Sequence, residues 1–463
     1  MRALNDIQRM DFLGIGGIGM SALARYFRER GVRVHGYDRS STPLTRQLAS
    51  EGIAVRHDPA PLEGPAPDLV VYTPAVPREL PSLAFYRAGG VPLKKRSQVL
   101  GMITREMYAV TVAGTHGKTT VSAMIAHVLR HSGYGCNAFL GGILVNYDTN
   151  YWSDPRPTAV IEADEYDRSF LELSPDIAVI TAMDADHLDI YGTLAAMQDA
   201  YVDYTRLIAP TGTLVHKLGL PRTGEMGGAA KITYSLTDGA ADAHAEDIRV
   251  SDGLYRFSVQ GPGWRIPGMT LGIGGLHNVE NAVAATTVTR VMGIADDRIR
   301  AALAAFRGTK RRFEYVYRDA HAVYIDDYAH HPEELRALIS GTRHLFPGRK
   351  LSIIFQPHLY SRTRDLAGAF AEVLSQADEV ILMPVYPARE APLPGVDSEL
   401  ISRKMPNPGA RVLSAPEVLD FIARHRPELL VTAGAGDIDQ LVGPLKDIMR
   451  GGNDGPGKEP SNA

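Results

Sequence analysis

The run Gly114-Thr115-His116-Gly117-Lys118-Thr119-Thr120 carries the clearest chemical purpose in this chain. It follows an apolar stretch, residues 108–113, and opens a segment, residues 121–130, whose apolar positions have helical spacing. A strand that ends in a glycine turn delivers unpaired backbone N–H groups and the positive end of a helix to one point. The lysine adds a mobile charge there, and Thr119 offers a hydroxyl to Mg²⁺. This predicts a bound nucleoside triphosphate. The competing reading is an ordinary glycine-rich turn before a helix, because Val112 stands where the first glycine of the usual phosphate-loop pattern belongs. Gly-Lys-Thr at a strand-to-helix junction is nevertheless the specific part of that pattern.

A second glycine run, Gly14-Ile15-Gly16-Gly17-Ile18-Gly19, follows a short apolar strand from Met10 and precedes a helix over residues 20–30, a strand over 32–37 and Asp38. This is a Rossmann-type opening. Its glycines permit a tight turn and close approach of a pyrophosphate to a helix N-terminus, and an acid about 20 residues on offers an acceptor to a ribose hydroxyl. Taken alone, it also fits a nicotinamide-dependent dehydrogenase, a reading that leaves the phosphate loop unexplained. A further strand, residues 68–73, leads toward the basic cluster Lys94-Lys95-Arg96.

Other polar residues gather at the ends of predicted strands. The buried-type strand that starts at Thr158 ends in Glu162-Ala163-Asp164-Glu165, and the one over residues 176–182 runs into Asp184, Asp186 and His187. Ligands in open parallel sheets collect at the carboxyl ends of the strands, so Glu162, His187 and the phosphate loop are expected to converge on one Mg²⁺-nucleotide site. Each acid taken singly also fits a helix cap or a solvated turn. Gly274 to Asn281 opens a small-residue helix over 282–291, with Asn278 and Asn281 on one helical face and suited to a purine edge; capping is the alternative for Asn278. After Arg311-Arg312-Phe313, strands over 322–325, 350–355 and 379–384 end in Asp326 to Pro332, Gln356-Pro357-His358 and Tyr386 to Glu390, again a shared ligand edge.

Positioning these clusters requires an α/β fold of about three domains for 463 residues. The expected divisions are a Rossmann-like domain over 1–105, a central phosphate-loop domain over 106–305, a second Rossmann-like domain over 306–450, and a disordered tail over 451–463. With 53 acidic against 49 basic residues, nothing in the charge points to nucleic acid. No apolar run approaches the roughly 18–20 residues of a membrane span, and the N-terminus is too polar for a secretion signal. A single cysteine, Cys136, excludes an internal disulfide, so the cytoplasm is the expected compartment.

Together the motifs resemble the Mur ligases, ATP-dependent amide-forming enzymes of peptidoglycan precursor synthesis, over essentially the whole chain to about residue 445. The resemblance rests on Gly14 to Ser21, Gly114 to Thr120, Glu162 to Glu165, His277 to Asn281, Asp326 to Pro332 and Gln356 to His358, in that order. It implies that the first domain holds a UDP-sugar rather than NAD, through Gly14, Gly16, Gly17, Ile18, Gly19, Met20, Ser21, Asp38, Thr73 and Arg96. The central domain then binds ATP through Gly114, Thr115, His116, Gly117, Lys118, Thr119 and Thr120, with His277, Asn278 and Asn281 on the adenine side. Thr119 and Glu162 help hold Mg²⁺, and His187 sits at the second metal region. Arg312 reaches the phosphates from the last domain, Asp327 is that domain's nucleotide-contacting acid, and His330, His331 and His358 match the surroundings of the acceptor amino acid. Lys118, Arg312 and these three histidines form the implied catalytic set.

Within the family the alanine-adding branch is nearest. It couples the carboxylate of UDP-N-acetylmuramate to L-alanine through an acyl phosphate. The Gly-Ile-Gly-Met-Ser loop favours this branch over the ligase that recycles a tripeptide and over the glutamate-adding ligase of folate metabolism. Several relatives carry a carbamylated lysine about 15 residues after the metal histidine, whereas no lysine occurs here between His187 and Lys217, as in the alanine-adding branch. Two departures from the commonest pattern stand out. Tyr386-Pro387-Ala388-Arg389-Glu390 replaces Tyr-Ala-Ala-Gly-Glu, and Glu165-Tyr166-Asp167 replaces Glu-Ser-Asp. A non-catalytic ATP-binding regulator on the same scaffold is the remaining alternative, although every motif position keeps a chemically competent residue.

Overall fold

A computed structural model describes residues 4–61, 65–388, 390–406 and 410–451. Of the expected tail only Gly451 falls within them, and Arg389 lies outside. The chain forms two compact units. The described residues of one fall within 1–248, 257–271 and 277–306, and those of the other within 249–256, 272–276 and 307–451.

In the first unit, a five-stranded parallel sheet is built from Ala54–Arg56, Arg33–Tyr37, Arg9–Leu13, Leu69–Tyr72 and Leu93–Lys95, in that spatial order. The chain reverses its winding beside Arg9–Leu13, so the glycine run that follows this strand lies at the switch point where such sheets bind ligands. The same unit holds a ten-stranded sheet in which Tyr108–Ala113 lies between Ile177–Ile180 and Thr158–Glu162. These central strands read Tyr-Ala-Val-Thr-Val-Ala and Ile-Ala-Val-Ile because both faces are covered, and a parallel strand so placed gains from apolar residues at every position. One hydrophobic cluster runs from Met10 and Phe12 through Val99 and Ile103 to Ala159, Phe170 and Tyr201. The two sheets of this unit therefore share a core. The helix Arg96–Glu106 comes so close to the turn Tyr166–Glu172 that a Cβ on Gly101 would strike the Glu172 carbonyl.

The second unit is organised on a six-stranded sheet, ordered Glu314–Arg318, Val323–Asp327, Leu429–Ala433, Leu351–Phe355, Glu379–Leu382 and Arg411–Val412. Its first strand is antiparallel to the next, and the others are parallel. The turn at 249–256 packs on this sheet's side of the chain. Tyr315 and Arg318 donate to the Gly253 carbonyl at 3.4 and 3.3 Å, and Tyr255 stacks on His344.

Three helices begin earlier than their apolar periodicity predicts, at Ile18, Lys118 and Leu276 rather than 20, 121 and 282. Their first turns are polar or glycine-rich, so hydrophobic spacing does not mark them. Strands such as Asn137–Leu144, Ala243–Ser251 and Leu254–Gly261, in which buried positions are mixed with partly or fully exposed ones, go beyond what the sequence reading anticipates, as does the central Leu429–Ala433. No helix among the described residues is long and apolar enough to cross a membrane.

The phosphate-loop helix Lys118–His131 is tied to the helix Asp296–Ala305 through His127, whose Nε2 faces the Ala302 carbonyl at 2.9 Å while Nδ1 faces the Tyr147 hydroxyl at 2.9 Å. Burial pushes the imidazole pKa down to about 4, with the backbone bond opposing this and His131 and Arg130 reinforcing it. The unfolded chain therefore binds more protons than the folded one between about pH 6.5 and pH 4, so this contribution is complete above pH 6.5 and is lost as pH falls toward 4. His127→Gln is expected to cost about 1–3 kcal/mol at pH 7. Its melting temperature should approach that of the unsubstituted protein as the pH is lowered to 4.5, and a gap that stays constant with pH would contradict the assignment.

Candidate functional site

The turn after Arg9–Leu13 is held in shape by the protein itself. Gly14 has φ +83°, and its N–H donates to the Tyr37 carbonyl at 2.8 Å; a Cβ there would meet Thr73 at 2.8 Å. Asp38 Oδ2 accepts the Gly16 N–H at 2.9 Å and Oδ1 accepts the Ser40 N–H at 3.1 Å, so this acid braces the loop with both oxygens. Met20 and Ser21 are buried in the first helical turn, where the Ser21 hydroxyl donates back to the Ile18 carbonyl. Arg96 lies over the same turn, its Nη1 2.5 Å from where a Gly19 Cβ would stand. Gly14, Gly16, Gly19, Asp38, Thr73 and Arg96 thus come together around one helix N-terminus, with Gly17 as its N-cap and Ile18 exposed. The result is a helix N-terminus poor in side chains with one arginine lying over it, suited to a diphosphate.

The second loop is shaped by steric exclusion. Gly114 has φ +137°, and a Cβ on it would collide with the Thr181 hydroxyl and approach the Ala182 nitrogen to 2.8 Å. Thr181, at the end of the neighbouring strand, donates to the carbonyls of Ala113 and His116, while Thr115 donates its N–H to the Ala182 carbonyl and accepts from the Asp184 N–H. Gly117, at φ +80°, is the N-cap of the helix Lys118–His131, and no side chain caps it. The N–H groups of Lys118, Thr119 and Thr120 in the first turn have no acceptor within the helix. Asn281 bonds Asn278 at 3.0 Å and lies 2.9 Å from where a Gly117 Cβ would stand. Because the helix Leu276–Val291 starts two residues before Asn278, this asparagine is no N-cap, and His277 is exposed in the same first turn.

The acidic run after Thr158–Glu162 joins these two loops. Lys118 Nζ donates to the Gly114 carbonyl at 2.6 Å and to Glu165 Oε1 at 2.8 Å. Glu165 has no exposed side-chain surface, and its Oε2 is buried without a hydrogen-bond partner. Glu162 instead accepts the Gly141 N–H at 3.1 Å. Asp164 pairs with Arg96 at 3.3 Å and Asp167 with Lys95 at 2.7 Å. His187, in the left-handed conformation at φ +49°, places Nε2 3.7 Å from Glu165 Oε1 and 3.7 Å from Asp186 Oδ2, with the Tyr166 ring edge-on to it. Ligating atoms of Glu165, Asp186 and His187 lie within 4.8 Å of one another. A buried carboxylate oxygen without a partner, a second carboxylate and an imidazole form a donor set that fits a divalent cation. Sequence alone does not single out Glu165 and Asp186 as metal ligands, because acids at a strand end cannot be told apart without knowing which turns inward.

In the second unit the two neighbouring arginines have different surroundings. Arg311 is bonded to Asp326 at 3.3 Å and to the Gly434 carbonyl, whereas Arg312 is exposed and acts electrostatically on Asp327. Burial lifts the Asp326 carboxyl to about 7 against the opposing effects of Thr432 and Arg311. Asp327 is lifted by burial to about 6 although its oxygens accept the N–H groups of Phe313 and Ala329, each at 2.7 Å. His330 and His358 meet edge-to-face with centroids 6.1 Å apart, and His358 stacks on Tyr386. His330 Nδ1 faces the Tyr328 carbonyl at 3.0 Å, so that nitrogen carries a proton and Nε2 holds the lone pair of the neutral ring. His358 Nδ1 faces the Arg362 guanidinium at 3.3 Å, which only donates, so its proton is on Nε2. His331 occupies the N-cap of Pro332–Leu345, where its N–H donates to Glu334. Gln356 bridges Asp437 and the Ile438 N–H and serves the loop rather than a ligand.

Three family models match the chain, "Mur ligase family, catalytic domain" over residues 9–108, "Mur ligase middle domain" over 112–289 and "Mur ligase, glutamate ligase domain" over 311–438. A UDP-N-acetylmuramate–L-alanine ligase of Parabacteroides distasonis is 48% identical over 456 residues, covering 96% of this chain and 98% of that one. One from Porphyromonas gingivalis is 46% identical over 96% of this chain and 99% of that one. Among solved structures, the UDP-N-acetylmuramate–alanine ligase of Thermotoga maritima aligns with a TM-score of 0.80 at 31% identity, covering 96% of this chain and 99% of that one. A murein peptide ligase of Psychrobacter arcticus aligns at 0.64 and 25% identity, covering 95% and 99%.

Gly114→Ala should reduce affinity for a nucleoside triphosphate at least tenfold while leaving affinity for UDP within twofold, because its Cβ displaces only the second loop. Titration with a fluorescent ATP analogue and with UDP measures both, and an unchanged triphosphate affinity would remove this loop from the site.

Proposed function

This chain belongs to the Mur ligase family, and from that premise we infer that it couples the carboxylate of UDP-N-acetylmuramate to L-alanine at the expense of ATP in peptidoglycan precursor synthesis. The observation that carries the reading is full-length likeness, at close to half identity, to ligases named for this reaction. We assign the UDP-sugar to residues 1–105, ATP to 106–305 and the amino acid to 306–450, and we place the reaction in the cytoplasm.

A free carboxylate does not acylate an amine in water. Transfer of the ATP γ-phosphoryl group to the muramoyl carboxylate gives an acyl phosphate; the alanine amine attacks it, and the tetrahedral intermediate expels phosphate. The protein's contribution is positioning and charge stabilisation. Lys118 exchanges Glu165 for the triphosphate and the first-turn N–H groups of its helix cradle the phosphates, while the family resemblance assigns Arg312 the role of a second cation. Asn278 and Asn281 face the purine. Mg²⁺ at the phosphates would be held by Thr119 and Glu162 and would neutralise charge on the transferring phosphoryl group, and a second divalent cation would be held by His187 with Glu165 and Asp186.

The amine must lose a proton, since an α-amino group with a pKa near 8 is mostly protonated at neutral pH. Of the three candidate histidines, His330 is best arranged as the acceptor, because its Nδ1–H is spent on the Tyr328 carbonyl and Nε2 is left basic. Burial, Arg362 and His330 hold His358 below the ordinary histidine range, so it is neutral near pH 7 and presents an N–H donor.

Phosphate release measured with ATP and UDP-N-acetylmuramate across the amino acids should peak with L-alanine; release that does not depend on the UDP-sugar would refute the reading. Lys118→Ala should lower kcat by ~10²–10³ or more, and retention of a tenth of the activity would exclude Lys118 from the transfer step. His330→Gln should lower kcat at least tenfold and erase the acid limb of the pH–rate profile, while His358→Gln keeps that limb. An unaltered profile in His330→Gln would eliminate the proposed base.

A further inference from the structure

The acid that ends the Glu162-Ala163-Asp164 turn has no assigned role, yet it holds the cation of the other loop. We propose that Asp164 is a positioning residue for the UDP-sugar site, setting the Arg96 guanidinium over the glycine turn before the diphosphate arrives. This rests on the assignment of that turn to a UDP-sugar.

The geometry divides the work within one guanidinium. Nη2 donates to Asp164 Oδ2 at 3.3 Å, whereas Nη1 lies over Gly19, in the first turn of the helix Ile18–Glu29. An arginine has five N–H donors in a fixed plane, so one edge can be held by an acid while the other faces a phosphate. Asp164 therefore does not compete for the diphosphate-facing edge. The acid is itself fixed, because its Oδ1 accepts the Tyr166 N–H at 3.1 Å and its carbonyl accepts the Phe170 N–H at 2.9 Å. An arginine left loose loses rotamer freedom when it binds a phosphate, and one already held does not. Asp167, three residues on, makes a shorter ion pair with Lys95, whereas it is Arg96 whose guanidinium lies nearest Gly19. The two pairs share one segment and differ in whether their cation faces the ligand.

Isothermal titration of the full-length protein with UDP as the probe tests this. Asp164→Asn should weaken UDP binding about three- to tenfold, Asp164→Glu should restore most of it, and Asp167→Asn should leave it within twofold. In an Arg96→Ala background Asp164→Asn should add nothing, since its effect passes through Arg96. If Asp164→Asn matches the unsubstituted protein, or weakens UDP equally with and without Arg96, or if Asp167→Asn weakens UDP to the same degree, the proposal is wrong. Failure of the unsubstituted protein to bind UDP at all would instead strike the UDP-sugar assignment on which it rests.

Discussion

A carboxylate with no exposed surface needs a cation beside it, and in this protein Glu165 is met by Lys118. That single pair connects the strand Thr158–Glu162 to the glycine loop after Tyr108–Ala113. It holds the lysine at the helix N-terminus, and it places an oxygen without a partner beside His187 and Asp186. The strand pairing around it, with Tyr108–Ala113 flanked by Ile177–Ile180 and Thr158–Glu162, is what brings the three loops to one edge. Without that parallel order the lysine, the acids and the histidine would be scattered along 70 residues of chain.

The two glycine loops answer similar demands by different means. The first is braced by an acid, Asp38, whose oxygens accept two backbone N–H groups. The second has no capping side chain and is shaped by Thr181 and Asn281 crowding Gly114 and Gly117. The difference suits the ligands. Under the proposed assignment, a diphosphate lying on a preformed turn benefits from a fixed surface, whereas a triphosphate that draws Lys118 away from Glu165 needs N–H groups left unspent. Asp327 repeats the bracing device in the second unit, with both oxygens on backbone N–H groups. Acids that end strands in this fold thus shape loops as well as meet ligands, and only their hydrogen bonds separate the two roles.

The histidines make the same point. His330, His331 and His358 are equivalent in sequence as bases, but their partners divide them into a ring whose Nδ1 donates to a carbonyl, a helix cap and a ring whose Nδ1 faces a guanidinium. A carbonyl or a guanidinium placed against Nδ1 fixes the tautomer.

Much of the architecture was written in the chain. Apolar runs of five or six residues ending in glycine or acid specify buried parallel strands, and Gly-Lys-Thr after one of them specifies a phosphate cradle, because the chemistry needs those residues adjacent in sequence. Local sequence could not decide which of Glu162 and Glu165 faces the lysine, that Asp164 pairs with Arg96 across 68 positions, that Arg311 rather than Arg312 is used for structure, or that Leu429–Ala433 is a central strand. Each of these depends on which way a side chain turns at a strand end and on what the fold then places opposite it. Adjacency along the chain fixed the cradles, and partners brought from far along the chain fixed what each charged group in them does.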